Sequence, residues 1–294
     1  MVSNLLVRID LARDKFSKGQ RRIASFIEEH YDEAAFLTAA KLGEIVGVSE
    51  STVVRFATEI GYAGYPGLRK AMQEMIRDKL TSIQRIEVTT GRIGDKDVLD
   101  TVLNQDIDKL KRTIEEISRA DFERAVDNII NAEHIYIFGV KSASYIASFL
   151  GYYLDLMFGN VIMLNTTSKT TNYEKLFRIT DKDVMIGISF PRYSTMAVDA
   201  MSFAHERGAH VVAITDSMVS PLVQTADSIL IARSDIASIV DSLVAPLSLI
   251  NALIVAMVIK RKDDVKETFS KLEQVWLEHD IYASQSKEDS INEK

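Results

Sequence analysis

Hydrophobic residues change their spacing along the chain, and this change divides the chain into two parts. Up to about Leu80 they recur at helical intervals, without any run of the strand type. From His134 onward there are five short β-rich runs, which read HIYIFGV, NVIMLN, DVMIGIS, AHVVAIT and DSILIA. Helical stretches such as residues 142–158 and 194–207 separate most of these runs. Such alternation predicts a parallel sheet with helices on both faces.

The pattern predicts an all-α N-terminal domain followed by an α/β domain. The five strands lack polar alternation, as strands covered on both faces do, and a five-stranded parallel sheet usually has the flavodoxin-like order 2-1-3-4-5. We assign residues 1–80 to the N-terminal domain and the stretch 81–94, rich in Thr and Gly, to a linker. Residues 95–280 then form the α/β domain with leading and trailing helices, and the polar tail 281–294 is expected to be disordered.

The N-terminal domain contains the signals of a helix-turn-helix within residues 38–61. Before it, Ser17 and Gln20 have the spacing of a capping box, which predicts a helix start. Gly47 is suited to end the next helix, Val48 to fill the angle between two helices, and Ser49 to cap the second helix. The apolar face predicted for the first helix consists of Leu42, Ile45 and Val46.

The second helix of this motif has an inward and an outward face. The residues expected to face inward are Val53, Phe56, Ala57 and Ile60, and those left outside are Ser51, Thr52, Arg55 and Glu59. Small polar side chains and one arginine suit insertion into a DNA major groove, where arginine can bind guanine or a phosphate. The predicted DNA contacts are Lys41, Ser49, Ser51, Thr52 and Arg55. A plain helical bundle with a solvated outer face has the same pattern.

The α/β domain contains two similar loops where strands 1 and 3 end. In the order 2-1-3-4-5 these loops, residues 139–144 and 189–194, lie side by side where ligands of such sheets bind. Each has hydroxyls, one cation and a helix start, which together favour an anion. The predicted effector-binding residues are Lys141, Ser142, Ser144, Ser189, Arg192, Tyr193 and Ser194. The alternative is that Ser142 and Ser194 only cap the helices that follow.

Composition and charge narrow the class of protein. Hydrophobic residues make up 47% and charged residues 26%, which is typical of a globular chain. The absence of cysteine excludes disulfides, thiolate zinc sites and cysteine nucleophiles. Residues 1–80 have 12 basic against 11 acidic side chains and the rest have 23 against 31, so an acidic body follows a relatively basic N-terminus. That asymmetry is consistent with a nucleic-acid contact in the N-terminal domain.

Neither a membrane segment nor catalytic chemistry is predicted. The N-terminus is interrupted by charges, and the longest apolar run, residues 243–259, contains Pro246 and Asn251, so we expect a cytoplasmic protein that does not enter a membrane. His134 and His210 begin their strands, at the end of the sheet opposite the ligand edge. No nucleotide, zinc-protease or hydrolase motif is present, and we predict no cofactor, no metal and no enzymatic activity.

The chain resembles the RpiR (MurR/RpiR) family of bacterial transcriptional regulators. The stretch GVSESTVVRFATEIGYAGYPGLRKAM is similar to that family's helix-turn-helix, and the strand pattern is similar to the sugar isomerase (SIS) domain. The resemblance covers roughly residues 1–280. It implies a regulator that binds an operator as a dimer or larger assembly and responds to a phosphosugar held by the SIS domain.

Two loops depart from the family pattern. Where the family shows G-x-G-x-S after strand 1, this chain has Lys141 for the second glycine and Ala143 for the serine. Where the family shows S-x-S-G-x-T after strand 3, it has Pro191 for a serine, Arg192 for the glycine and Ser194 for the threonine. Two cations thus replace neutral contacts, which suits a sugar acid or a doubly charged ligand. The alternative is that both cations only pair with acidic neighbours and ligand binding is lost.

The remaining expectations concern assembly and partners. The apolar stretches 243–259 and 95–117 are candidates for a subunit interface in a homodimer or homotetramer, which would read a palindromic double-stranded operator. The alternatives to a regulator that senses a small anion are a SIS-type phosphosugar isomerase or lyase with an appended helical head, and a protein-binding module.

Overall fold

The computed structural model describes residues 5–76, 82–94, 96–234 and 240–282, and the chain divides into two compact units between Lys96 and Asp97. The first unit consists of helices, namely α1 (Leu5–Ala12), α2 (Lys18–Glu29), α3 (Tyr31–Ala34), α4 (Ala39–Val46), α5 (Glu50–Glu59), α6 (Tyr65–Ile76) and α7 (Ser82–Ile93). The predicted capping box starts α2, because the Gln20 amide donates to Ser17 Oγ and the Ser17 amide donates to Gln20 Oε1. In the hydrophobic core of the first unit, the rings of Phe16 and Phe56 pack against each other with their centroids 5.1 Å apart.

The stretch that we interpreted as a linker is helical over Ser82–Ile93. Its threonines suggested a connector, but the Thr89 and Thr90 hydroxyls donate to carbonyls four residues earlier, at 2.7 and 3.0 Å. Threonine is compatible with a helix when its hydroxyl is satisfied in this way. Gly94, with a φ of 51°, follows the helix. The predicted disordered tail lies outside the described residues from 283 onward.

The second unit contains the predicted five-stranded parallel sheet, in the order β2-β1-β3-β4-β5. The strands are β1 (Ile135–Phe138), β2 (Val161–Leu164), β3 (Val184–Ile188), β4 (His210–Thr215) and β5 (Ser228–Ile231). Helices cover both faces, since Ile135 and Ile137 belong to one buried cluster while Tyr136 and Phe138 belong to another. This explains why the strands lack polar alternation. The helices are α8 (Val98–Glu116), α9 (Arg119–Asn131), α10 (Ala143–Phe158), α11 (Lys169–Leu176), α12 (Thr195–Glu206), α13 (Val244–Lys260) and α14 (Lys262–Glu278).

Helix α8 packs on the second unit through polar residues. Lys109 is 6% exposed and donates to Asp106 at 3.0 Å, and Asp106 also accepts a hydrogen bond from Ser242. Thr113 accepts from the backbone amide of Arg233 at 2.9 Å, just beyond the end of β5. The exposed apolar residues of the helix include Leu99, Leu103, Ile107 and Ile114, which we name the apolar stripe of α8. The helix therefore buries polar groups and leaves this stripe open.

Within the described residues, no single helix is long and apolar enough to cross a bilayer. Helices α13 and α14 meet the length and composition criteria only as a pair, with a bend of 101° between them.

Candidate functional site

In the helix-turn-helix of the first unit, the backbone of α4 lies very close to the backbone of the turn that leads into α5. Gly47 ends α4 with a φ of 71°, and the Ser49 side chain caps α5 by accepting from the Thr52 amide. A side chain at Gly43 would place its Cβ 2.7 Å from the Val48 carbonyl oxygen, closer than real Cβ atoms lie. Val48 packs against the core, as predicted. Glycine at position 43 is thus required for the turn to bring α5 this close to α4.

The two faces of α5 are confirmed. The residues predicted to face inward, Val53, Phe56, Ala57 and Ile60, are all buried. On the outer side, the Ser49 hydroxyl lies 2.9 Å from Ser51 Oγ and 2.8 Å from Thr52 Oγ1, so three hydroxyls gather at the helix start. Arg55 is exposed, and its Nε donates to the Ser51 carbonyl at 3.3 Å. The helix therefore presents hydroxyls and one guanidinium to solvent.

Some residues near this face differ from the prediction. Ile45, expected on the inner face of α4, is 43% exposed because only Leu42 and Val46 of that set contact the core. Lys41, a predicted DNA contact, is in an ion pair with Glu44 at 2.9 Å, one helical turn later. Val54 is 39% exposed on the outer side of α5 and was missed, because an apolar residue was not expected there.

The carboxyl edge of the sheet brings together the two loops predicted to bind an effector. Strands β1 and β3 are neighbours, with Phe138 in register with Gly187, so both loops begin at the same edge. Lys141 and Arg192, the two cations in place of family glycines, have φ values of 56° and 66°. This left-handed conformation costs an L-residue roughly 1–2 kcal/mol. The backbone has therefore kept the shape that glycine would adopt, while the side chain has become a cation.

Three of the predicted effector residues hold the loops in place. The Ser144 hydroxyl donates to the Lys141 carbonyl at 2.6 Å, across the left-handed turn. Ser189 Oγ accepts from the Ser194 amide at 3.1 Å, at the start of α12. The Tyr193 hydroxyl donates to the buried Asp216 at 2.8 Å. Each of these side chains therefore makes a hydrogen bond that supports its loop.

The other predicted side chains are not used in this way. Ser142 and Ser194 stand at the starts of α10 and α12, but neither side chain caps its helix. In the part of the chain that the structure describes, Lys141 and Arg192 make no ion pair with an acid. The alternatives of helix caps and paired cations therefore lose support. Among the described residues, these two hydroxyls make no helix cap and these two cations make no ion pair.

The remaining polar groups at this edge form a buried support. The Thr215 hydroxyl donates to the Ser189 carbonyl and lies 2.9 Å from Ser220 Oγ, which joins the end of β4 to the second loop.

The histidines of the second unit's strands lie elsewhere: His134 contacts Asp183 and His210 contacts Ser228, both at strand starts. Burial lowers the pKa of His210. In the described residues, no group of three or more His, Asp or Glu is arranged to hold a metal ion.

Comparison with known proteins matches each unit to a family model. Residues 3–79 match the helix-turn-helix domain of the rpiR family, and residues 128–256 match the SIS domain. Among curated proteins, the transcriptional regulator HexR of Pseudomonas aeruginosa is 23% identical over 283 residues, which is 93% of this chain and 95% of that protein. An uncharacterized helix-turn-helix transcriptional regulator of Haemophilus influenzae is 24% identical over 78% of this chain and 79% of its own length.

Two solved structures are similar in fold. The sugar isomerase domain of an RpiR transcription factor from Sphaerobacter thermophilus is 27% identical, with a TM-score of 0.57, over 60% of this chain and 98% of that one. The Vibrio vulnificus NanR protein, solved in complex with ManNAc-6P, is 24% identical, with a TM-score of 0.58, over 96% of this chain and all of that one. The second similarity extends through both units.

Proposed function

Because the chain belongs to the rpiR family, whose helix-turn-helix precedes a SIS domain here, it is a transcriptional regulator, and we propose that it responds to a small anionic carbohydrate derivative. In this proposal α5 binds a double-stranded operator, and the carboxyl edge of the sheet binds a sugar phosphate or a sugar acid. The observation that carries the DNA proposal is the outer face of α5, with hydroxyls and Arg55 exposed over a fully buried inner face. A DNA-binding regulator acts where the chromosome lies, so the cytoplasm is the expected location.

We expect Arg55→Ala to raise the Kd for the operator by about 5- to 150-fold, the equivalent of about 1–3 kcal/mol for one arginine that contacts a base. The measurement is a gel shift with the DNA that flanks the protein's own gene, repeated over a salt series. Because Arg55 is exposed, the melting temperature should not change.

Glu59→Ala is the matched control, since it truncates another exposed side chain of α5 but removes a negative charge. It should bind DNA as well as the wild type or slightly better. Equal affinity of the Arg55→Ala variant and the wild type would contradict the role given to this face. A protein that binds no DNA but retains a protein partner would favour the binding-module alternative.

The effector proposal rests on Lys141 and Arg192. Both favour an anionic ligand, because they lie in loops that lead into helix starts and have no acidic partner among the described residues. NanR was solved with a phosphorylated amino sugar derivative, and we extend that class of ligand, not the compound itself, to this chain. Two added cations favour a second negative charge on the ligand, such as a carboxylate.

The rival function is a SIS-type isomerase or lyase, which the SIS match itself favours. Such chemistry needs a base close to the bound sugar, and His134 and His210 are at the opposite end of the strands. We therefore expect the full chain to show no turnover of aldose or ketose phosphates. Product formation above that of a protein-free control would move the assignment to an enzyme.

We further propose a homodimer, or a tetramer built from dimers, in which the apolar stripe of α8 is covered by a second copy. The stripe is open although Lys109 and Thr113, on the adjacent side of the helix, are buried, which is the reverse of an ordinary surface helix. Leu103→Glu combined with Ile107→Glu should weaken self-association at least about tenfold, because two charges would be buried. Sedimentation equilibrium measures this.

Asp108→Lys changes the net charge by two, as the double substitution does, on an exposed part of α8 away from the stripe, and should leave the assembly unchanged. An unchanged mass for the doubly substituted variant would contradict the interface. Two copies of α5 in a symmetric dimer would read two half-sites of a palindrome, so loss of the dimer should also weaken operator binding.

A further inference from the structure

A cationic face lies at the start of α2, beside the helix-turn-helix. Lys18, Arg21 and Arg22 are exposed along an open cleft of about 790 Å³, whose lining includes Glu29 and His30 at the other end of the helix. We name these three cations the cationic face. In the part of the chain that the structure describes, none of the three has an acidic partner.

This arrangement differs from that of three other cations in the first unit. Arg13 pairs with Glu28, and Lys41 pairs with Glu44. Arg8 instead donates to the Gly61 carbonyl and stacks on Tyr62. Arg8, Arg13 and Lys41 are therefore engaged within the protein, whereas Lys18 and Arg21 are exposed without an acidic partner among the described residues.

The cationic face is unfavourable for the helix that contains it. Lys18 is the first residue of α2, where the helix dipole disfavours positive charge, and the first turn contains no acid. Lys18 also stands three residues before Arg21 and four before Arg22, so like charges repel at helical spacing. A sequence selected for stability alone would place acids here. Local conflicts of this kind are typical of functional positions.

The start of α2 lies directly against the start of α5. A Cβ added to Gly19 would be 3.2 Å from Val48 Cγ1 and 3.6 Å from Thr52 Cγ2. Arg22 donates from Nη2 to the Gly47 carbonyl, in the turn before α5, at 2.8 Å. The three cations thus lie at the start of α2, where Gly19 and Arg22 are next to the residues that lead into α5. A duplex that admits the start of α5 into its major groove brings the adjacent phosphates to this position.

We propose that Lys18 and Arg21 bind backbone phosphates beside the groove that α5 enters, and that Arg22 both contacts a phosphate and positions the turn through Gly47. The inference rests on the proposed DNA-binding function and extends it to a second helix. Phosphate contacts fix the register of a protein on DNA without reading its sequence. The cationic face therefore contributes affinity for any duplex, while α5 contributes the choice of sequence.

The test uses the full chain and two labelled 30-base-pair duplexes, one of random sequence and one from upstream of the protein's own gene. The variants are Lys18→Gln, Arg21→Gln and both together; Arg22 is left intact because it also holds the turn. We expect the slope of log K against log salt to become shallower by about 0.9 for each phosphate contact removed in each bound subunit. Affinity for both duplexes should fall by the same factor.

Lys266→Gln on α14 is the control, because it removes one exposed positive charge from the second unit and should leave the slope unchanged. The melting temperatures of the Lys18 and Arg21 variants should equal or exceed that of the wild type, because an unfavourable charge has been removed. A wild-type slope in both variants overturns the phosphate contacts, and so does a lowered melting temperature that accounts for the lost binding. If the wild type itself binds neither duplex, the proposed DNA-binding function fails, and this inference fails with it.

Discussion

Replacing Lys141 and Arg192 with glycine is expected to lower affinity for a doubly charged sugar acid by at least about 100-fold. Each cation that binds a carboxylate or phosphate contributes about 1.5–3 kcal/mol, or roughly 10- to 150-fold in Kd. Calorimetric titration of glucose, glucose 6-phosphate, gluconate and 6-phosphogluconate separates the two charges. Loss should be largest for 6-phosphogluconate and absent for the neutral sugar.

The same substitutions should make the free protein more stable. Lys141 and Arg192 have φ values of 56° and 66°, and glycine removes a strain of the order of 1 kcal/mol at such positions. Part of this gain is offset because glycine increases the entropy of the unfolded chain. A rise in melting temperature of about 2–4 °C for each kcal/mol is expected for a domain of this size. Affinity and stability should therefore move in opposite directions.

Asp280→Gly supplies the control for both effects. Asp280 is the third non-glycine residue with a positive φ in the described ranges, at 50°, and it lies at the end of α14 rather than in either loop. This variant should gain stability without changing affinity. If only the neutral sugar shifts the melting temperature of the wild type, the anionic effector is wrong. If the double glycine variant binds 6-phosphogluconate like the wild type, the two cations are outside the site.

Phe56→Ala should unfold the first unit while the second remains folded. The ring is fully buried and contacts Phe16 at a centroid distance of 5.1 Å, and its truncation costs about 3–5 kcal/mol. That is a large share of the stability of a small helical domain. DNA binding should be lost, whereas the response of melting temperature to 6-phosphogluconate should persist.

The single tryptophan makes this separation measurable. Trp276 lies on α14 in the second unit, so its fluorescence reports that unit, whereas far-ultraviolet circular dichroism reports both. In a urea titration, Phe56→Ala should shift the early part of the dichroism curve and leave the fluorescence curve in place. Val54→Ala, an exposed change on the same helix, should shift neither by more than about 0.5 kcal/mol. A shift of both curves together would mean that the two units unfold as one.

Local signals account for the parts of this structure that the sequence predicts well. The capping box at Ser17, the left-handed Gly47 and the cap at Ser49 depend on neighbours within four residues, so pattern alone identifies them. The five strands and their order follow from apolar runs and chain connectivity. The helix within the stretch 81–94, which we interpreted as a linker, was not predicted because the composition does not reveal that Thr89 and Thr90 bond back along a helix.

Roles that depend on distant partners could not be read from the sequence. Tyr193 was predicted to bind the effector, but its hydroxyl is bonded to Asp216, 23 positions later. Ser189 likewise accepts from a backbone amide whose position follows from the loop conformation. The hydrogen bond from Arg22 to Gly47 spans 25 positions and has no sequence motif. Residue type predicted which chemistry gathers at the sheet edge, but only the tertiary structure shows which of these side chains hold the loops through hydrogen bonds.

The buried polar side of α8 has a consequence for how motion passes through the second unit. Apolar surfaces can slide past one another by small adjustments, but a hydrogen bond is directional and is lost over a fraction of an ångström. Asp106, Thr113 and their partners Ser242 and Arg233 connect α8 to the chain beyond β5 in this way. A displacement of that segment must either carry α8 along as a rigid piece or detach it in one step, so gradual, graded movement between the two is disfavoured.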